Sequence, residues 1–375
     1  MIYNESKFNS TWSTKRLSDL GVFSRGVSKH RPRNDQRLFE GGGYPLVQTG
    51  EIKESNLYIT KHTQEYGEFG LKQSRLWKAG TLCITIAANI AETAILSYPM
   101  CFPDSVVGFQ ADENESSELF MYYVFDYIRK AIQGAATGSA QDNINIDYLT
   151  SLEFKIPSKS YQDKIVDIVG ALDKKILKNE QINDNLAEMA HTTYMHLFFG
   201  KKANGKIGDI LVENPKSPIQ VGSAKEATGN YPFFTSGDAV LKWPEPLING
   251  RNIYLNTGGN AGLKFYVGEA AYSTDTWCIT AQDELSDYLY LLLESIKPEL
   301  SQKFFQGTGL KHLQKPILKD RAIYIPSDSE LYSFNKSVMP WFTMISDNIR
   351  ESQQLTALRD WLLPMLMNGQ ATIND

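Results

Sequence analysis

Cysteine is scarce in this chain. Cys83, Cys101 and Cys278 are the only three among 375 residues, and no two of them form a CxxC pair. Three thiols cannot build a disulfide framework and have no zinc-finger spacing, which points to a reducing cytoplasm. No apolar run approaches the roughly 20 residues that span a bilayer. The N-terminal stretch, with Asn4, Glu5 and Lys7, lacks the apolar core of a secretory signal, so no membrane partner is expected. His191 and His196 lie five apart and miss the i, i+4 spacing of a helical zinc pair. The glycine clusters Gly41-Gly42-Gly43 and Thr257-Gly258-Gly259-Asn260-Ala261-Gly262 fit neither a P-loop nor a dinucleotide fingerprint. The single Asn-Pro, Asn214-Pro215, continues into Lys216-Ser217, so the Asn/Asp-Pro-Pro-aromatic loop of an amino-group methyltransferase is missing. Asp104 with Glu153 and Lys155 has the residue types of a Mg²⁺-dependent nuclease core. The separation is long, however, and the positions aligned with Glu153-Phe154-Lys155 in the second half are Ala322, Ile323 and Tyr324. These absences lead to a binder: no catalytic residue, no metal site and no directly bound cofactor are expected.

The chain does have a globular balance, 42% hydrophobic and 22% charged residues, and a length that suggests two domains. Its net charge of −5 is unevenly spread. Residues 1–40 carry Lys7, Lys15, Arg16, Arg25, Lys29, Arg31, Arg33 and Arg37 against four acids, and residues 300–325 carry Lys303, Lys311, Lys315, Lys319 and Arg321 against Asp320 alone. Two basic patches on an acidic body are compatible with nucleic-acid binding.

The two halves repeat one another. Tyr44-Pro45-Leu46-Val47-Gln48-Thr49-Gly50-Glu51 is echoed by Tyr231-Pro232-Phe233-Phe234-Thr235-Ser236-Gly237-Asp238. Thr137-Gly138 leads to Lys155-Ile156-Pro157-Ser158, as Thr308-Gly309 leads to Tyr324-Ile325-Pro326-Ser327. From Ile156/Ile325 to Gly200/Gly369 the halves align without a gap, and both segments read as long helices. The division expected is a first globular block over 1–158, a helical spacer over 159–200, a second block over 201–328 and a second helix over 329–375.

In the first helix Ile165, Val169, Leu172, Ile176, Asn179, Asn183 and Leu186 follow a 4-3 spacing continued by Ala190, Thr193 and Leu197. That period predicts a coiled-coil seam. Ser158 or Ser160 can cap its start and Gly200 its end. The same offset gives Val338, Trp341, Ile345, Asn348, Leu355 and Leu362 as seam residues of the second helix, where Pro340 and Pro364 predict a kink or an early stop. Antiparallel packing brings the polar centres, Asn179/Asn183 and Asn348/Ser352, within reach of each other. A helix over 161–199 spans about 58 Å, the spacing device that a reader of two separated DNA half-sites needs.

The repeat, the Ile-Pro-Ser opening and the closing Leu362-Leu363-Pro364-Met365-Leu366-Met367-Asn368-Gly369 resemble the specificity subunits of type I restriction-modification enzymes. Ser28-Lys29-His30-Arg31-Pro32-Arg33-Asn34-Asp35, the Tyr44–Glu51 motif and Gly80-Thr81-Leu82-Cys83-Ile84-Thr85-Ile86-Ala87-Ala88-Asn89-Ile90-Ala91-Glu92 resemble one class of their target-recognition domains. The resemblance implies an α+β fold: two α/β target-recognition domains in a pseudo-twofold repeat, separated by two long helices forming an antiparallel coiled coil. It implies double-stranded DNA as ligand, read as a bipartite target. It also implies two methyltransferase subunits that bind S-adenosylmethionine, and restriction subunits that complete the nuclease. Arg and Lys suit phosphates and guanine, Asn and Gln suit adenine. On that basis the expected DNA contacts are Lys29, Arg31, Arg33, Arg37, Gln48, Thr49, Asn89, Gln141 and Asn143 in the first block, with Thr235, Ser236, Asn260, Lys311, His312 and Lys315 in the second. The alternative reading is a non-catalytic coiled-coil scaffold.

Overall fold

The computed structural model describes residues 2–137, 144–309 and 311–373. Gln141 and Asn143, and with them Gly138, lie outside the described residues. The chain is α+β and divides into two compact units, Met1–Lys175 with Gln354–Asp375, and Ile176–Gln353. Two 40-residue helices, the central helix Lys159–Phe198 and the terminal helix Asp328–Met367, each contribute to both units. Among the described residues no helix is long and apolar enough to cross a membrane.

The two units repeat one topology. In the first, a sheet runs in the order Gly21–Arg25, Val106–Ala111, Leu82–Thr85, Thr93–Leu96, Tyr58–Ile59. Its first four strands are antiparallel neighbours and the last pair is parallel. In the second unit the sheet runs Leu211–Glu213, Thr276–Ala281, Arg251–Asn256, Leu263–Val267, all antiparallel. A smaller sheet follows the same plan in both. Tyr44–Leu46 lies between antiparallel Gln64–Tyr66 and parallel Met100–Cys101. Likewise Tyr231–Phe234 lies between antiparallel Val240–Trp243 and parallel Ala271–Tyr272. The register is the same too: Tyr44 faces Tyr66 and Leu46 faces Gln64, while Tyr231 faces Trp243 and Phe233 faces Leu241.

Strands Leu82–Thr85 and Thr93–Leu96 are buried at every position, which is why they read as continuous apolar runs rather than as alternating ones. In the second unit Tyr194 and Phe198 of the central helix pack with Phe334, Val338 and Phe342 of the terminal helix. Phe198 meets the rings of Tyr288 and Phe334 edge-on, each at 5.2 Å.

Of the residues expected at the helix seam, Ile165, Val169, Ile176, Asn179 and Val338 are buried. Leu172, Asn183, Leu186, Trp341, Ile345, Asn348, Leu355 and Leu362 are half-buried. Toward the end of the central helix the buried face moves one residue on, to Tyr194 and Phe198, and Leu197 is exposed. An untwisted helix drifts against a strict 3.5-residue period, and the aromatic core of the second unit takes the adjoining stripe. In that unit the helix centres are joined by polar contacts: Asn348 Nδ2 donates to Asn183 Oδ1 (2.8 Å), and Asn179 Nδ2 to Glu351 (2.7 Å) and Ser352 Oγ (3.2 Å).

The early stop expected at Pro340 and Pro364 is corrected by the structure: the terminal helix runs on as one element through both prolines. A proline removes one N–H bond, a local cost. Pro340 and Lys336, whose carbonyl the proline leaves without its N–H donor, are both exposed residues, while Phe342 and Ser346 just beyond are buried and hold the helix in place. Both long helices end on a left-handed glycine, Gly200 at φ +79° and Gly369 at φ +75°, the backbone conformation that glycine adopts most easily. In the first unit Asn4 Nδ2 donates to the Met367 carbonyl (2.7 Å) and pairs with both backbone groups of Lys155. In the second, Asn204 pairs the same way with Ile325.

Candidate nucleic-acid interface

In the first unit the segment after Gly21–Arg25 carries the basic patch. Arg31 and Arg33 reach one carboxylate, Asp104, at 3.3 and 2.5 Å, with their side chains still about half exposed (53% and 51%). Arg25, not among the expected contacts, donates to the Asp104 carbonyl (2.6 Å). One carboxylate shared by two guanidiniums leaves a net positive charge facing solvent. Arg37 instead forks onto Asp35, which His30 also approaches (2.8 Å). Arg37 first, then His30, hold the Asp35 carboxyl well below the usual carboxylate range. Lys29 is exposed and its backbone N–H is tied to the Gln73 carbonyl (2.9 Å). Asp104 is thus engaged by arginines, whereas Glu153 lies beside Arg16 (3.8 Å). The two carboxylates of the nuclease decoy have different partners. Among the described residues no group of three or more His, Cys, Asp or Glu could hold a metal ion.

Strand Tyr44–Leu46 leads through Gln48 into a short helix, Thr49–Glu54, whose start is fixed by Glu51 accepting from the Gln48 N–H (2.8 Å). A cavity of about 280 Å³ opens here. Its lining includes Ser28, Arg33, Gln48, Thr49 and Gln64, together with Ala87 and Ala88. The loop of Asn89 joins strands Leu82–Thr85 and Thr93–Leu96. Within it Ala88 and Ala91 adopt φ of +60° and +61°, a strained conformation for residues with a Cβ. Asn89 Oδ1 accepts from Lys53 (3.3 Å).

The second unit brings residues distant in sequence together in the same way. Loop 257–262, which joins the corresponding strands, pairs with the basic segment: Gly258 bridges His312, Gly259 N–H donates to the Lys311 carbonyl (2.9 Å), and Leu313 N–H to Thr257 (3.0 Å). Ser236 reaches the same place, its hydroxyl bonding the Asp275 carbonyl and accepting from the Thr257 N–H (3.4 Å). Asn260, Lys311 and His312 are exposed. Two expected contacts sit differently. Thr235 is buried, and its hydroxyl is used within its own turn, donating to the Ala239 carbonyl (2.8 Å). Lys315 is half-buried over the Trp277 ring (4.6 Å) and near Glu213 (3.9 Å), and burial lowers its pKa. Lys264, absent from the sequence reading, anchors the turn by donating to the carbonyls of Thr235 (3.1 Å) and Gly237.

Comparison with known proteins accords with this arrangement. A family model described as the type I restriction modification DNA specificity domain matches residues 9–188 and again 201–337. The MjaIX specificity subunit of Methanocaldococcus jannaschii is 22% identical, over 98% of this chain and 95% of its own length. The HindI specificity subunit of Haemophilus influenzae is 35% identical over 68% of this chain and 75% of its own. The crystal structure of the S subunit of a type I restriction-modification system from M. genitalium superposes over the whole of both chains, with a TM-score of 0.64 at 15% identity. With the repeated match covering most of its length, the chain belongs to the family of type I restriction-modification DNA specificity subunits.

Proposed function

We propose that each unit reads one half of a split double-stranded DNA sequence and that the two long helices set the gap between the halves. The helices also dock two methyltransferase subunits, which bring S-adenosylmethionine and the catalytic residues, and restriction subunits join to form the nuclease. The chain itself catalyses nothing and works in the cytoplasm. One observation carries this reading: loops at equivalent places of the repeat, 48–49 and 86–92 in one unit and 235–236 and 257–262 in the other, gather polar and basic residues contributed from distant parts of the sequence. Phosphate contacts position such a surface, and side chains reaching base edges give it specificity.

The test is a map of adenine methylation in cells expressing the methyltransferase partner, with and without this gene. Loss of a two-part motif of fixed gap is expected. No change would turn the reading toward a protein scaffold. A salt titration would then separate the two, since phosphate-driven binding falls steeply between low and moderate salt while an apolar interface holds.

A further inference from the structure

We propose that Gln64 is a specificity-determining residue of the first unit, reading an adenine through its side-chain amide while Gln48 acts as its positioning residue. The inference rests on the DNA-reading function above and deepens it. Both side chains line the same cavity as Arg33 and are exposed. Gln48 Nε2 donates to Gln64 Oε1 at 2.6 Å. In this arrangement that bond occupies one lone pair of the Gln64 oxygen and holds the amide plane in place. Among the described residues, the Gln64 NH₂ group makes no hydrogen bond with protein. What remains is one free donor group beside one free acceptor lone pair. This is the pattern that meets adenine N7 and the adenine amino group in the major groove. A fixed amide also loses less freedom on binding than a mobile one.

The repeat supplies an internal control. In the shared register Gln64 faces Leu46, and the corresponding residue facing Phe233 is Leu241, which packs partly buried beside Phe233. Gln48 corresponds to Thr235, whose hydroxyl is turned into its own loop. The scaffold is therefore held constant while the chemistry at this one pair of positions changes from two amides to an apolar contact and an inward hydroxyl. Two units that read different half-sites need a difference of this kind.

The experiment uses the full chain with its methyltransferase partner and maps adenine methylation for Gln64→Leu, Gln64→Glu and Gln48→Met beside the wild type. Duplexes carrying the wild-type motif, altered at each base pair of each half-site in turn, then serve as binding probes. Gln64→Leu is expected to relax preference at one A·T pair of one half-site by about 5- to 150-fold, the discrimination of a good bidentate contact. The other half-site should be unchanged. Gln64→Glu, which keeps the shape but has no donor for N7, should reject adenine there. Gln48→Met should weaken the same preference by less. An unchanged motif in both Gln64 variants overturns the inference, as does a loss of methylation equal at every base pair. If the wild type itself yields no two-part motif, it is the DNA-reading function that has failed, and the role of Gln64 falls with it.

Discussion

Replacing Arg359 by alanine is expected to destabilise the first unit by about 3–5 kcal/mol, the cost of leaving a buried charge without its partner. Arg359, on the terminal helix, donates to Asp173 of the central helix at 2.9 Å, and the Asp173 side chain is only 5% exposed. The second carboxylate oxygen accepts from the hydroxyl of Tyr123, on the helix Glu118–Thr137, at 2.7 Å, so three helices meet at one carboxylate. Truncating Arg359 strands a desolvated anion that a single phenol cannot satisfy. Guanidinium unfolding should show a lower midpoint with an unchanged slope. Asp173→Leu combined with Arg359→Met should recover most of the loss, because an apolar pair of similar volume avoids desolvating charge altogether. An Arg359→Ala chain that unfolds at the wild-type midpoint would remove this pair from any account of how the helices are held.

Combining Arg31→Ala with Arg33→Ala is expected to lower DNA affinity by about 10- to 100-fold at moderate salt. It should also reduce the slope of log affinity against log salt by about 2, one unit for each lost phosphate contact. The effect is amplified by Asp104, which accepts from both guanidiniums in the intact protein and becomes an unscreened anion on the proposed DNA-facing surface once they are gone. Adding Asp104→Asn to the double variant should therefore restore part of the affinity. Assembly with the methyltransferase subunits should be unaffected, since these side chains lie in an exposed loop and pair with Asp104 rather than with either long helix. Filter binding or fluorescence anisotropy over a salt series reads both quantities, and wild-type affinity in the double variant would take Arg31 and Arg33 out of the interface.

The features legible in the sequence were those encoded over short distances. A sustained apolar period, a serine ahead of it and a glycine after it mark the central helix within two residues of its ends, because each signal acts within a few turns. Repetition revealed the two units for the same reason: matched words such as Tyr44-Pro45 and Tyr231-Pro232 open equivalent strands. Pro340 misled because a proline's penalty is local while the packing that offsets it, Val338 and Phe342 against the aromatic core, is not. The sheets were hidden by strands mostly two to six residues long, too short for alternation to register. Asp173–Arg359 joins residues 186 apart, and nothing local marks either as half of a pair. Gln64 was missed because a single glutamine carries no pattern. It becomes visible only when the fold sets it beside Gln48, at the place where the other unit has Leu241.

The asparagine clasps have a consequence for how the polypeptide could be wired. After the central helix, Gly200 passes covalently to Asn204, which grips Ile325; after the terminal helix, Gly369 lies against Phe8 and Asn9 while Asn4 grips Lys155 and the Met367 carbonyl. Where one junction is a peptide linker, the other is made of hydrogen bonds and packing contacts. Chain order is then incidental to the architecture. A permutant opened between Gly200 and Lys201, with its original ends joined through a short flexible linker, should fold to the same pair of units, because the covalent join and the hydrogen-bonded one merely exchange places.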